Sequence, residues 1–131
     1  MVQLTTQRVK ISVESLFQDQ YSSAVEQRYI FAYRIQIHNE SPVPIQLLSR
    51  RWNVIGATGE RRQIEGEGVV GQQPVILPGQ SHEYTSWVQF ETPLGAMVGS
   101  YLMSRPDTRG RRELFRVRVP KFVHMAPELL N

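Results

Sequence analysis

Tyr29-Ile30-Phe31-Ala32-Tyr33-Arg34-Ile35-Gln36-Ile37-His38 is the stretch that decides the fold of this chain. Tyr29, Phe31, Tyr33, Ile35 and Ile37 fall on every second position, with Arg34, Gln36 and His38 between the last of them. A period of two puts the first set on one face of an extended strand. Aromatic and β-branched side chains suit that pleated, half-buried surface. A strand so apolar on one side belongs at the centre of a sheet, with its aromatic face on the core. Asn39-Glu40-Ser41-Pro42 ends it, because these residues favour turns and Pro cannot donate to a ladder.

Outward from this strand the same period recurs, and no helical period does. Upstream, Val9, Ile11 and Val13 alternate with Lys10 and Ser12 to give a first strand, and the polar stretch 18–27 reads as a loop. Downstream, 45–55 predicts a third strand with Leu48, Trp52 and Val54 inward, its alternation broken by a bulge at Arg50-Arg51. Ala57-Thr58-Gly59 turns the chain into a short charged strand, 60–65, whose composition suits a sheet edge. Residues 66–78 form a long irregular connection ending in Leu77-Pro78-Gly79. Tyr84, five residues beyond, has the spacing of a tyrosine corner, in which the hydroxyl bonds back to the loop backbone.

Strands at 80–90, 96–103 and 113–119 complete the set, the last two joined by the turn Asp107-Thr108-Arg109-Gly110, with Phe115, Val117 and Val119 inward. Seven short strands without crossover helices predict an all-β fold, an antiparallel seven-stranded β-sandwich of immunoglobulin-like type. The apolar tail 120–131, with Phe122, Val123, Met125, Leu129 and Leu130, is expected to pack along the sandwich or onto a second subunit.

Composition agrees with this reading. The 131 residues make one domain, 1–131, and nine Gly and eight Pro argue against long helices. Absence of Cys excludes disulfides, thiolate metal sites, redox motifs and a Cys nucleophile. No apolar run reaches the length of a signal-peptide core or a membrane span, so a soluble cytoplasmic protein is expected. The net charge of +3 is uneven, since 105–121 carries seven basic residues against Asp107 and Glu113. Arg favours planar anionic partners, which makes Arg109, Arg111 and Arg112 candidate contacts for a protein partner. A charge of +3 falls short of a nucleic-acid binder's footprint. Glu113, between Arg residues, reads as ion-paired.

Gly66-Glu67-Gly68-Val69-Val70-Gly71 satisfies G-x-G-x-x-G. In dinucleotide folds that pattern opens a helix whose free N–H groups hold the pyrophosphate. Here Pro74 and Pro78-Gly79 leave no room for a helix, and Glu67 sets a negative charge where phosphate would lie. The reading left is that Gly66, Gly68 and Gly71 permit positive φ and close packing. A weaker capacity for an anion nest remains, supplemented by Arg61 and Arg62. His38, His82 and His124 are isolated, and His82-Glu83-Tyr84-Thr85-Ser86 lacks the second His of H-E-x-x-H. Glu65 and Glu67 are the sole close Glu pair, and no G-x-S-x-G elbow exists. No catalytic residue, metal ligand or cofactor is therefore assigned.

Taken together, several blocks in order resemble the ApaG family: 28–33, Gln46-Leu47-Leu48-Ser49-Arg50 with Trp52, the Gly motif with Gln73-Pro74, Pro78-Gly79 and Tyr84-Thr85-Ser86. The similarity continues through Thr92-Pro93-Leu94-Gly95 with Met97, Gly99-Ser100-Tyr101 with Met103, and 119–122. The resemblance implies a fibronectin type III-like sandwich, usually a homodimer in a bacterial cytoplasm, with the domain reused in eukaryotic F-box and DNA-polymerase-interacting proteins. It implies an association with cobalt resistance and magnesium efflux, no established catalytic site, and a diphosphate contact at Gly66, Gly68 and Gly71. Arg105 and Arg109 depart from the acidic turn common in the family, His124 stands where an apolar residue is usual, and Asn131 where a His is common. The function expected is a non-enzymatic binding module for a protein or a small phosphate-containing ligand. The alternative is a phosphate- or divalent-metal-linked enzyme or sensor using the Gly loop.

Overall fold

The computed structural model describes residues 1–127. Nine strands run in chain order: β1 (Val2–Thr6), β2 (Val9–Phe17), β3 (Tyr29–Asn39), β4 (Ile45–Gly56), β5 (Arg61–Glu67), β6 (Val75–Ile76), β7 (Ser81–Phe90), β8 (Leu94–Pro106) and β9 (Arg112–Met125). All pair antiparallel, in sheets of order β1-β2-β3-β7 and β5-β4-β8-β9, with β6 on β4. This is the antiparallel sandwich that the alternating pattern predicts. A 3-10 turn, Asp19–Tyr21, lies between β2 and β3.

Two strands lie beyond the seven expected. β1 escapes the pattern because its side chains are mostly exposed. Its hairpin onto β2 turns at Gln7 and Arg8, both at positive φ without a glycine to signal it. β6 is too short to have a period.

The aromatic face of β3 lies in the core as expected, and Trp52 packs edge-on against Tyr33, Phe122 and Tyr101 with centroids 5.9, 5.8 and 6.2 Å away. Two bulges set which side chains join it. On β4 the register against β8 shifts between Leu47 and Ser49, not at Arg50-Arg51. Ile45 and Leu47 are buried before the shift, Trp52 and Val54 after it. The inward place therefore belongs to Leu47, and Leu48 is only half-buried, because the extra residue flips the parity. On β9 the shift falls where Val119 faces Gly99 and Phe122 faces Met97. Pro120 lies in that shift, where its missing N–H breaks no ladder bond. Beyond it Phe122 and His124 turn inward, so the apolar tail is, as far as Met125, the continuation of β9. Leu129, Leu130 and Asn131 lie outside the described residues.

Tyr84 makes no corner. Its hydroxyl bonds across the sandwich to the Tyr101 hydroxyl rather than back to the loop. Asn39 ties that loop instead, its Nδ2 donating to Val43 O at 2.8 Å and Ile76 O at 2.9 Å, while Gly79 N–H donates to Asn39 O at 2.8 Å. At one side of the sandwich β1 and β9 meet, Arg118 N–H donating to Thr6 Oγ1 at 3.3 Å. The opposite side, between β7 and the β4–β5 hairpin, is open, and the clefts described next lie along it.

Candidate functional site

The Gly motif closes β5 into a tight turn. Val69 and Gln72 exchange both backbone hydrogen bonds, at 2.8 and 3.0 Å, around Val70 and Gly71 at φ +48° and +76°. Two central residues at positive φ are the mark of a type I′ turn. Gly68, at φ +64°, passes so close to Gln72 that a Cβ there would sit 2.2 Å from its carbonyl oxygen. The amides of Gly68, Val69 and Gln72 donate to the carbonyls of Leu48, Gln72 and Val69, so these three are already committed to the fold.

The cation at this loop is Arg50, which the sequence reading treated only as part of an irregular pair. Its Nη1 donates to Glu67 O at 3.1 Å and Gly68 O at 2.9 Å, and its guanidinium lies over Gly66, where a Cβ would meet Nη1 at 2.8 Å. Gly66 thus seats the arginine. Among the described residues Nε and Nη2 have no hydrogen-bond acceptor. Arg50 then borders an open cleft of about 430 Å³ together with Tyr33, Trp52, Glu67, residues 69–71 and residues 84–87. Tyr33 and Tyr84 lie on its floor, and Tyr101 is buried behind them with its hydroxyl bonded to that of Tyr84. Burial holds all three phenols above their ordinary value, opposed at each by the charge of Arg50. The phenols therefore stay neutral, and the Arg50 guanidinium remains a full positive charge beside them. Trp87, 52% exposed and stacked edge-on against Tyr21, stands at the rim with Val70.

The structure does not bring Arg61 and Arg62 to this loop. They occupy the opposite end of β5, about 17 Å away at the usual rise of an extended strand. There they border a second cleft of about 490 Å³ with Gln89, Phe90 and Glu91, and Arg62 Nη2 donates to Gln89 O at 2.8 Å. Arg109, Arg111 and Arg112 lie exposed around the β8–β9 turn. Asp107 shapes that turn by accepting from the Arg109 and Arg111 amides at 2.8 and 2.9 Å. Arg105 is paired with Glu113 at 3.0 Å and stacked over Phe115, as the expectation for Glu113 required. Glu65 is held by Arg51 at 2.9 Å. Among the described residues no three His, Asp or Glu gather to hold a metal.

A family model described as the ApaG domain matches residues 19–105. The chain belongs to the ApaG family. Protein ApaG of Proteus mirabilis is 44% identical over 127 residues, covering 97% of this chain and 98% of the relative. Protein ApaG of an Enterobacter species is 40% identical, covering 89% and 96%. A solved structure from Bordetella pertussis, described as an ApaA protein, has 34% identity and a TM-score of 0.84 over 91% of this chain and 94% of that one. A second solved structure, a structural-genomics target, has 30% identity and a TM-score of 0.85 over 98% and 94%. The matched ApaG span holds Arg50, the Gly turn and β7, and it ends before Arg109, Arg111 and Arg112.

Of the site residues, sequence reasoning found the Gly turn and missed Arg50 and Trp87. One signal for Arg50 was present: a strand that must place Trp52 inward also turns Arg50 to the same face, where an arginine needs an acceptor.

Proposed function

We propose that this ApaG domain is a binding module without chemistry of its own, whose ligand presents an anionic group, phosphate or carboxylate, to Arg50. The observation that carries the reading is the pinned guanidinium. Two backbone carbonyls fix Arg50 through Nη1 at the mouth of a cleft, so the geometry that a bidentate anion needs is held before the ligand arrives. Glu67 on the same cleft opposes this, and its carboxylate limits the affinity. Inorganic diphosphate is the simplest probe. Titrated by NMR at low salt, it is expected to move the Gly71, Ser86 and Trp87 amides. Arg50→Gln should weaken binding at least tenfold and Glu67→Gln should tighten it. Unchanged binding in Arg50→Gln would overturn the reading.

A second reading has its own support at the β8–β9 turn. Arg109, Arg111 and Arg112 make no ion pair among the described residues, whereas Arg105 does. They form the candidate surface for a protein partner, and a second copy of the chain is the simplest one. Sedimentation of the triple Arg→Glu variant beside the parent tests it: an unchanged association constant counts against this surface.

A further inference from the structure

We infer that the free edge of β7 is a docking strand for an extended acidic segment of another protein, which adds to the sheet beside Glu83, Thr85 and Trp87. The inference rests on Arg50 as the cation of the site and names what carries the anion. β7 ends the sheet β1-β2-β3-β7, so among the described residues one side of its ten residues has no strand against it. Parity fixes which groups face that side. Asn39 N–H donates to Gln80 O, which places even-numbered residues of β7 in hydrogen-bonded pairs with β3. The odd-numbered ones turn their N–H and C=O outward, and Arg62 reaching Gln89 O confirms the direction. Gln89 O is thereby capped. The outward groups of Glu83, Thr85 and Trp87 have no backbone partner among the described residues.

Exposed edges are ordinarily blunted by charge, proline, bulges or covering elements. Every other edge of this sandwich follows that rule. β1 and β9 meet each other, β6 is only two residues long, and β5 carries Arg61, Arg62, Glu65 and Glu67. β7 has no proline, no register shift against β3, and one acidic residue, Glu83, in Ser81–Phe90. Such an edge is a template for strand addition, in which main-chain bonds give affinity and alternate side chains give specificity. The specificity elements lie beside it. Outward side chains of an added strand would meet Trp87, and inward ones would enter the cleft that Tyr84 and Ser86 share with Arg50. A carboxylate suits that inward position, because Arg50 is the cation of the cleft and its Nε and Nη2 are free of acceptors among the described residues. One acidic residue between β-branched neighbours is the chemistry that fits.

The test uses a capped heptapeptide of alternating threonine and valine whose central valine is replaced by aspartate. Amide hydrogen exchange of the full chain is followed with and without it. Strand addition predicts at least tenfold slower exchange at Thr85 and Trp87. It also predicts a phase effect: of two peptides N-methylated at alternate residues, one keeps its affinity and the other loses at least tenfold. Glu83→Pro, which removes an outward N–H and no bond to β3 and lies outside the Arg50 cleft, should abolish peptide binding and leave diphosphate binding unchanged. Replacing the peptide's aspartate by asparagine should weaken binding to the parent and make no difference in Arg50→Gln. Equal binding of both methylated peptides, or unslowed exchange at millimolar peptide, would overturn the proposal. So would protection already present without peptide and rising with protein concentration, which assigns the edge to a second copy. If Arg50→Gln keeps its diphosphate affinity while exchange at Thr85 still slows, the anion site fails and the edge stands.

Discussion

His124 shows how one side chain sets a condition on the whole core. It is 0% exposed among Phe31, Tyr33, Phe90 and Phe122, with Nδ1 2.6 Å from Ser15 Oγ and Nε2 without a partner. Burial pulls its pKa down to about 4. The unfolded chain binds this proton near pH 6.5, so the contribution is complete above that pH and is lost as pH falls toward 4. A depression of this size corresponds to roughly 3 kcal/mol. Urea unfolding at pH 7 and pH 4.5 should therefore show a loss in the parent that His124→Phe lacks, and equal losses would clear His124 of the effect. Val70 is a second residue-scale case. A β-branched side chain at φ +48° is strained, so Val70→Asn should raise stability by about 0.5–1 kcal/mol. Gly68→Ala should lower it by about 1–3 kcal/mol, since the added Cβ meets the Gln72 carbonyl at 2.2 Å. Thermal melts of the two variants check both signs.

Among the elements, β4 and β9 carry the same device: an extra residue that exchanges the inward and outward sets. For β9 the consequence is sharp. Deleting Lys121 would remove the extra residue after Pro120 and restore strict alternation, so that Val119, Phe122 and His124 all stay inward and Phe122 still faces Met97. A change of parity would expose a core Phe and forfeit about 3–5 kcal/mol, against a typical total of 5–15 kcal/mol, and this deletion avoids it. The deletion should therefore leave the chain folded by circular dichroism, and Lys121→Ala, at an exposed position, should shift stability by less than about 0.5 kcal/mol; an unfolded deletion variant would mean that the bulge itself is required. Bulges also mark where the sequence ceased to be legible. The alternation of β3 is uninterrupted, so its inward set could be read directly. The parity of β4 changes inside a mixed run, and nothing local separates a bulge at Leu48 from one at Arg50-Arg51. The candidate site was legible to the same degree. Three glycines announce a special loop, but Arg50 reaches that loop only through the pairing of Arg50 with Gly66 across two strands, which no local pattern encodes.

At the scale of the molecule, the sandwich is held by pairings between distant parts of the chain. Phe31 lies opposite Val88 in one sheet and Trp52 opposite Gly99 in the other. Closing such long loops precedes the contacts that reward it, which places all-β sandwiches in the millisecond-to-second range of folding times. The two tryptophans report on the two sheets separately. Trp52 is enclosed between them on β4, and Trp87 stands half-exposed on the β7 edge against Tyr21. Neither sheet can hide its apolar face alone, because the inward residues of β3 are covered by Trp52, Phe122 and His124 of the other sheet. Cooperative assembly follows from that mutual cover. Stopped-flow refolding of Trp87→Phe, which reports Trp52, and of Trp52→Phe, which reports Trp87, should each give a single phase with folding limbs of the same denaturant slope. A fast Trp87 phase that precedes Trp52 burial would mean that the β1-β2-β3-β7 sheet forms first and waits for its cover.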